Sequence, residues 1–313
     1  MVDSDGKNMV KVNKVNNEDH IILEVENLYK SYGDKNVIED LSFQVKKGES
    51  FAILGENGAG KTTLFKILLN ISKRDKGLIQ IMGDSNNKSR LKEKISFLGE
   101  DYELYPYLTA KEVVLLASSF YETDNKEWAL SLLEKFDIPL NEKIKNFSKG
   151  MKQTVKLMQS LVNQGEIIIL DEPTAGLDVK MQHQMLEILK DLNEKGKTII
   201  FSSHNLLEVK KLADRIAFIK KGEIIAIKDK SFISKENNKI IFVPQKEIND
   251  EELVIDGVTA VEKNGSKYII YYDDNEGQII KHLNKIPYFK LKYDEPDLEE
   301  MYLKITGGDK NVN

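Results

Sequence analysis

Residues 51–69 constrain this chain more than any other stretch. A short apolar run, Phe51 to Leu54, leads directly into Gly55-Glu56-Asn57-Gly58-Ala59-Gly60-Lys61-Thr62, and an apolar-periodic segment from Thr63 to Leu69 follows. The run has strand length and the periodic segment has helical spacing, so the glycines fall on a strand-to-helix turn. The string fits G-x-x-x-x-G-K-[ST], in which backbone N–H groups converge on phosphate oxygens at the positive end of a helix. On this reading Lys61 reaches the β- and γ-phosphates, Thr62 ligates Mg²⁺, and Thr63 opens the helix beside them. A strand, a phosphate-gripping loop and a helix in that order predict an α/β domain that takes a nucleoside triphosphate.

Two further places fit the same chemistry. The run Ile167 to Leu170 ends in Asp171-Glu172-Pro173-Thr174. Two acids at a strand end suit Mg²⁺ held by Asp171 and an attacking water oriented or deprotonated by Glu172. The run Thr198 to Ser203 ends in His204. Strand C-terminal ends in open α/β sheets face the ligand crevice, so His204 is expected at the γ-phosphate.

The rest of the chain sets the frame. Strand candidates recur through residues 21–230, at Ile22 to Val25, Leu41 to Val45, Leu78 to Met82, Ile95 to Leu98, Ile216 to Ile219 and Ile224 to Ile227. Between about residues 107 and 165 they give way to helical spacing, as in Met151, Val155, Met158 and Val162, which predicts an inserted helical lobe. After a Ser-Lys-Glu-Asn linker, residues 237–307 read as a small α+β accessory domain. Its strands are Ile240 to Val243, Lys267 to Tyr272 and Tyr288 to Lys292, and its helices Gly277 to Leu283 and Asp297 to Ile305, before a tail at 308–313. Residues 1–20 lack an apolar centre and are expected to be a mobile leader rather than a secretion signal. With 46 basic and 51 acidic residues, the net charge of −5 has the wrong sign for nucleic acid as main ligand. There is no cysteine for disulfide or thiol chemistry, and no apolar run nears the roughly 18–20 residues that span a bilayer.

The segment Asn146-Phe147-Ser148-Lys149-Gly150-Met151-Lys152-Gln153 narrows the choice among nucleotide hydrolases. It resembles the signature of the ATP-binding cassette (ABC) family, close to L-S-G-G-Q in most members. Ser148 and Gly150 match, while Lys149 and Met151 depart from the consensus glycine and glutamine. The resemblance covers roughly residues 21–230 and implies a P-loop NTPase (RecA-like) sheet core with an antiparallel β subdomain and the helical lobe. It implies that Tyr32 stacks on adenine and that Asp178, in Ala175-Gly176-Leu177-Asp178, lies on a loop crossing a dimer interface. Glu100 stands where the family usually has glutamine. It is expected to contact metal or water through an oxygen, but it cannot donate a hydrogen bond. His204 matches the family's switch histidine.

In that family the signature serves a different chain's nucleotide, so Ser148, Lys149 and Gly150 are expected to cap the γ-phosphate of a second nucleotide-binding subunit, identical or related. The resemblance further implies ATP and Mg²⁺ as ligands. It implies an integral membrane permease docked near Glu100 to Pro106, and a cytoplasmic position on the inner face of the membrane. The signature variant and the string Asp294 to Lys304 resemble exporter ATPases. A non-transport cassette of the translation or DNA-repair type is the alternative. The chain carries one cassette and no long coiled-coil insertion, which argues against it, and no N-K-x-D string supports a GTP switch.

Overall fold

The computed structural model describes residues 20–100, 102–121, 125–231, 238–246, 248–272, 275–294 and 305. Strands β1 (Ile21–Tyr32) and β2 (Lys35–Lys46) form an antiparallel ribbon around a tight turn in which Gly33 takes φ 58°. After β3 (Ser50–Leu54) and α1 (Lys61–Leu68), strands β4 (Lys76–Ile81) and β5 (Asp84–Ser85) extend that ribbon into a sheet of order β2-β1-β4-β5. Strand β6 (Ile95–Leu98) precedes three helices, α2 (Ala110–Ser118), α3 (Lys126–Lys135) and α4 (Lys149–Leu161). The chain then returns through β7 (Ile167–Leu170), α5 (Val179–Glu194), β8 (Thr198–Ser203), α6 (Leu206–Leu212), β9 (Arg215–Lys220) and β10 (Glu223–Asp229).

The central sheet has the order β10-β9-β3-β8-β7-β6, parallel from β9 to β6 with β10 antiparallel at one edge. Every residue of β3, β7 and β8 is buried, which is why these strands read as unbroken apolar runs rather than alternating ones. One face packs with the antiparallel sheet and α1 through Phe51, Ile53, Leu64, Phe65 and Ile169. The other packs against the helical lobe, α5 and α6 through Leu170, Phe201, Val155, Met158, Leu189 and Val209. Register aligns the strand ends: Leu54 stands beside Ser203, and Leu170 beside Phe201. The loops after β3, β7 and β8 therefore leave the sheet on the same side, where ligands bind in open α/β folds.

Beyond residue 237 a second sheet of order β12-β13-β11-β14 assembles from β11 (Asn238–Pro244), β12 (Val258–Asn264), β13 (Lys267–Tyr272) and β14 (Tyr288–Asp294). Helix α7 (Glu276–Leu283) covers one face, and Ile240, Phe242, Tyr268, Ile270, Ile279 and Leu283 make a core separate from the other two. Strand β12 is an addition to the sequence reading. Its residues are exposed or half-buried, so its pairing with β13 rather than an apolar pattern sets it. Of the expected helix Asp297 to Ile305 only Ile305 lies among the described residues, where it is helical and packs on the core shared by the central sheet, the helical lobe, α5 and α6. The expected leader up to residue 19 and the tail 308–313 lie outside them.

Candidate active site

The loop after β3 depends on glycine at particular points. Gly60 takes φ 107° at the N-cap of α1, and a Cβ there would stand 2.8 Å from the Val37 carbonyl oxygen. Gly58 takes φ 83° with open space around it, which lets backbone approach a ligand closely. The turn after β9 braces the loop from behind, since the Gly222 N–H donates to the Ala59 carbonyl at 3.1 Å. Lys61 is buried. Its ammonium donates to the carbonyls of Gly55 at 2.7 Å and Glu56 at 3.2 Å, and lies 3.2 Å from Glu172 Oε1.

The two acids after β7 are fixed from β8. Ser202 Oγ donates to Asp171 Oδ1 at 2.6 Å and accepts from the Glu172 N–H at 2.9 Å. This holds Glu172 in a left-handed backbone, φ 47°, a conformation that costs an ordinary residue about 1–3 kcal/mol and clusters at functional sites. Burial pushes the Asp171 carboxyl above its ordinary range, while the hydroxyls of Ser202 and Thr62 pull it back. Glu172 Oε2 meets His204 Nδ1 at 2.9 Å. Facing a carboxylate, that ring nitrogen carries the proton and donates. Helix α4 reaches the same turn, as Gln153 Nε2 donates to the Pro173 carbonyl at 3.1 Å.

Tyr32, Asn57, Gly58, Gly60, Lys61, Thr62, Thr63, Glu100 and Glu172 line one cavity of about 550 Å³. The Tyr32 ring is half exposed at its mouth, with Lys30 Nζ 4.9 Å from the ring centre and the hydroxyl paired with Ser72 at 3.1 Å. Glu100 and Glu172 also line a second cavity of about 370 Å³, shared with Asp171, Lys149, Lys152 and Gln153. The signature residues stand apart from the glycine-loop cavity. Ser148 caps α4 by accepting from the Met151 N–H, Gly150 packs against Gly176 and Leu177, and Asp178 caps α5.

The ABC transporter family model matches residues 38–175. The linearmycin resistance ATP-binding protein LnrL of Bacillus subtilis (strain 168) is 34% identical over 307 residues, covering 91% of this chain and 98% of that protein. This chain belongs to the ATP-binding subunits of ABC transporters. The Nod factor export ATP-binding protein I of Rhizobium etli is 31% identical across 91% of this chain and 93% of its own length. Among solved structures, the dimeric post-hydrolysis state of the ATP-binding cassette MJ0796, bound to ADP and Pi, overlays with TM-score 0.60 at 28% identity. It covers 66% of this chain and 98% of that one. The subunit binds and hydrolyses ATP for transport. Its C-terminal sheet lies beyond the length of a bare cassette but within the length shared with the sequence relatives.

The donor set of this ABC subunit fits a divalent cation. Asp171 Oδ2 is buried and takes no hydrogen bond, and Thr62 lies beside the carboxylate. Asp171, Thr62 and Glu100 would hold Mg²⁺ through oxygen, the ligand it prefers. Sequence reasoning missed Ser202, Gln153, Gly222 and Glu208. Glu208 is buried on α6, accepts from the Thr174 hydroxyl, and accepts from Ser203 Oγ at 2.8 Å. Only the paired serines before His204 signalled hydroxyls with work at the strand end.

Proposed function

We propose that this subunit powers export through a separate membrane permease, working as a pair of cassettes on the inner face of the membrane. The single observation that carries the site reading is the contact of Glu172 Oε2 with His204 Nδ1 at 2.9 Å, with Lys61 3.2 Å from the other carboxylate oxygen, at the mouth of a glycine loop. Lys61 and the loop N–H groups bind the β- and γ-phosphates of ATP, and Tyr32 stacks on the base. Glu172 accepts the proton of the attacking water, while His204 holds its carboxylate in line. Mg²⁺ supplies charge neutralisation at the β- and γ-oxygens when bound.

Ser148 and Gly150 line neither cavity, which supports their service to the nucleotide of a second cassette, with Lys149 between them at the edge of the Asp171–Glu172 cavity and Asp178 on the loop between the two cassettes. The groove lined by Phe97, Tyr102, Tyr105, Leu116, Phe120 and Tyr121, between β6 and the helical lobe, suits an apolar segment of the permease. No helix among the described residues is long and apolar enough to cross a membrane. Export follows from two relatives whose names state resistance to linearmycin and export of Nod factor.

The test is Glu172→Gln. ATP turnover should fall by about a hundredfold or more, and with Mg-ATP the variant should elute as a dimer in size-exclusion chromatography with light scattering. A variant that hydrolyses ATP normally removes Glu172 from its role, and one that stays monomeric at saturating Mg-ATP, alone and beside any related subunit, removes the shared site.

A further inference from the structure

We propose that Glu208 is a positioning residue for hydrolysis, its buried carboxylate fastening the loop that follows Glu172 to the turn that carries His204. The inference rests on the roles given above to those two residues. Glu208 is only 6% exposed, on a seven-residue helix whose neighbouring side chains Val209 and Leu212 belong to the core. A leucine or methionine would fill such a place without the desolvation that a carboxylate suffers there. What the carboxylate adds is a bridge.

Each of its oxygens takes a hydroxyl from a different loop. Thr174 Oγ1 donates to Oε1, and Ser203 Oγ donates to Oε2 at 2.8 Å. Thr174 lies two residues beyond Glu172, separated by Pro173, whose ring fixes φ and transmits displacement along the chain. Ser203 immediately precedes His204, and its carbonyl accepts from the Gly55 N–H at 3.3 Å at the start of the glycine loop. A closed circuit results: Glu172 to Thr174 along one loop, across Glu208 to Ser203, then to His204 and back by the 2.9 Å contact. While the bridge holds, neither loop shifts without the other, so carboxylate and imidazole keep their separation as the cassette binds and releases nucleotide. Without it the Glu172 turn keeps its links to Ser202, Lys61 and Gln153, and the His204 turn keeps the Gly55 N–H on the Ser203 carbonyl and the helix cap Asn205, but Thr174 and Ser203 are no longer tied to each other.

The two hydroxyl links allow an isosteric test. Glu208→Leu removes both acceptors at nearly the same volume, and Thr174→Val removes one donor without changing volume. In the full-length protein, steady-state ATPase assays should give kcat down by about tenfold in each variant with KM for ATP within about twofold of the parent. The double variant should lose no more than the worse single, because both cut the same circuit. The ADP-induced rise in Tm should be unchanged, since the phosphate loop is untouched. Parental kcat per ATP-binding site in Thr174→Val, losses that multiply in the double variant, or loss of ATP affinity in step with kcat would each overturn the proposal. Glu172→Gln and His204→Ala run beside them separate the two readings. If these two also turn over normally, the site assignment falls and the bridge with it; if they are inactive while Thr174→Val is normal, only the bridge falls.

Discussion

A carboxylate buried before its cation arrives burdens the protein that holds it. Asp171 is 1% exposed, Oδ2 has no hydrogen bond, and burial raises its pKa above the ordinary carboxylate range. The proton is thus held more tightly in the folded than in the unfolded chain. The contribution of Asp171 to stability is therefore greatest below the unfolded value and is lost as pH rises through the folded one. At neutral pH, without Mg²⁺, replacing the charge should help the fold. Asp171→Asn preserves the acceptor for Ser202 Oγ, and we expect its metal-free Tm to rise by about 2–4 °C, as about 1 kcal/mol gives in a domain of this size. The gain should vanish near pH 4, and Mg-ATP turnover should be lost at every pH. Differential scanning fluorimetry across pH checks the first and an ATPase assay the second; a Tm that falls at neutral pH would show that the charge is already compensated. The opposite holds at Gly60, where φ 107° and the Val37 carbonyl 2.8 Å from any Cβ leave no room. Gly60→Ala should abolish ADP binding in calorimetry, as distortion of the loop removes converging N–H groups together.

At the scale of elements, helix α4 separates folding from function. Gly150 lies in its first turn, and a Cβ would meet Gly176 O, Met181 Sδ and Leu177 Cδ2 at 3.4–3.6 Å, ordinary van der Waals distances. Alanine favours a helix interior over glycine by about 0.5–1 kcal/mol. Gly150→Ala should therefore leave Tm equal or slightly higher while ATPase activity falls by about tenfold or more if, as proposed, a second cassette's phosphate approaches this turn, where Ser148 and Lys149 are exposed beside the buried Gly150. Unchanged activity would mean that α4 serves packing only.

The same contrast shows what the sequence could reveal. Strands β3, β7 and β8 were legible because burial on both faces leaves unbroken apolar runs, and Gly55 to Thr62 because a backbone shape needs glycine. Strand β12 was not legible, because its mostly exposed side chains carry no pattern. Ser202, Gln153 and Glu208 were not legible either. Each acts through a partner at least 19 residues away in the chain, as when Gln153 reaches the Glu172 carbonyl, and short polar side chains have many other uses.

In the whole molecule the three cores are unequal partners. Two share the central sheet, whereas among the described residues Ile240, Phe242, Tyr268, Ile270, Ile279 and Leu283 pack with each other and their neighbours in the C-terminal sheet. Lys230 N–H donates to the Asp214 carbonyl at 2.9 Å and so completes the β9–β10 hairpin before the linker. Among the described residues the cassette is thus closed at that residue except for Ile305, which packs on the core shared by the central sheet, the helical lobe, α5 and α6. A chain ending at Lys230 should fold and bind nucleotide, losing among the described residues only the burial of Ile305, at most about 1.5–3 kcal/mol. Ligand binding reports this directly. With ADP a hundredfold above Kd the stabilisation is about 2.7 kcal/mol, and at about 2–4 °C per kcal/mol this is a Tm rise of about 5–11 °C. The truncated and full chains should show the same rise from different baselines, the truncated one lower by a few degrees. If the truncated chain melts without responding to ADP, the C-terminal sheet is part of what holds the glycine loop in shape, and the separation of cores does not extend to their stability.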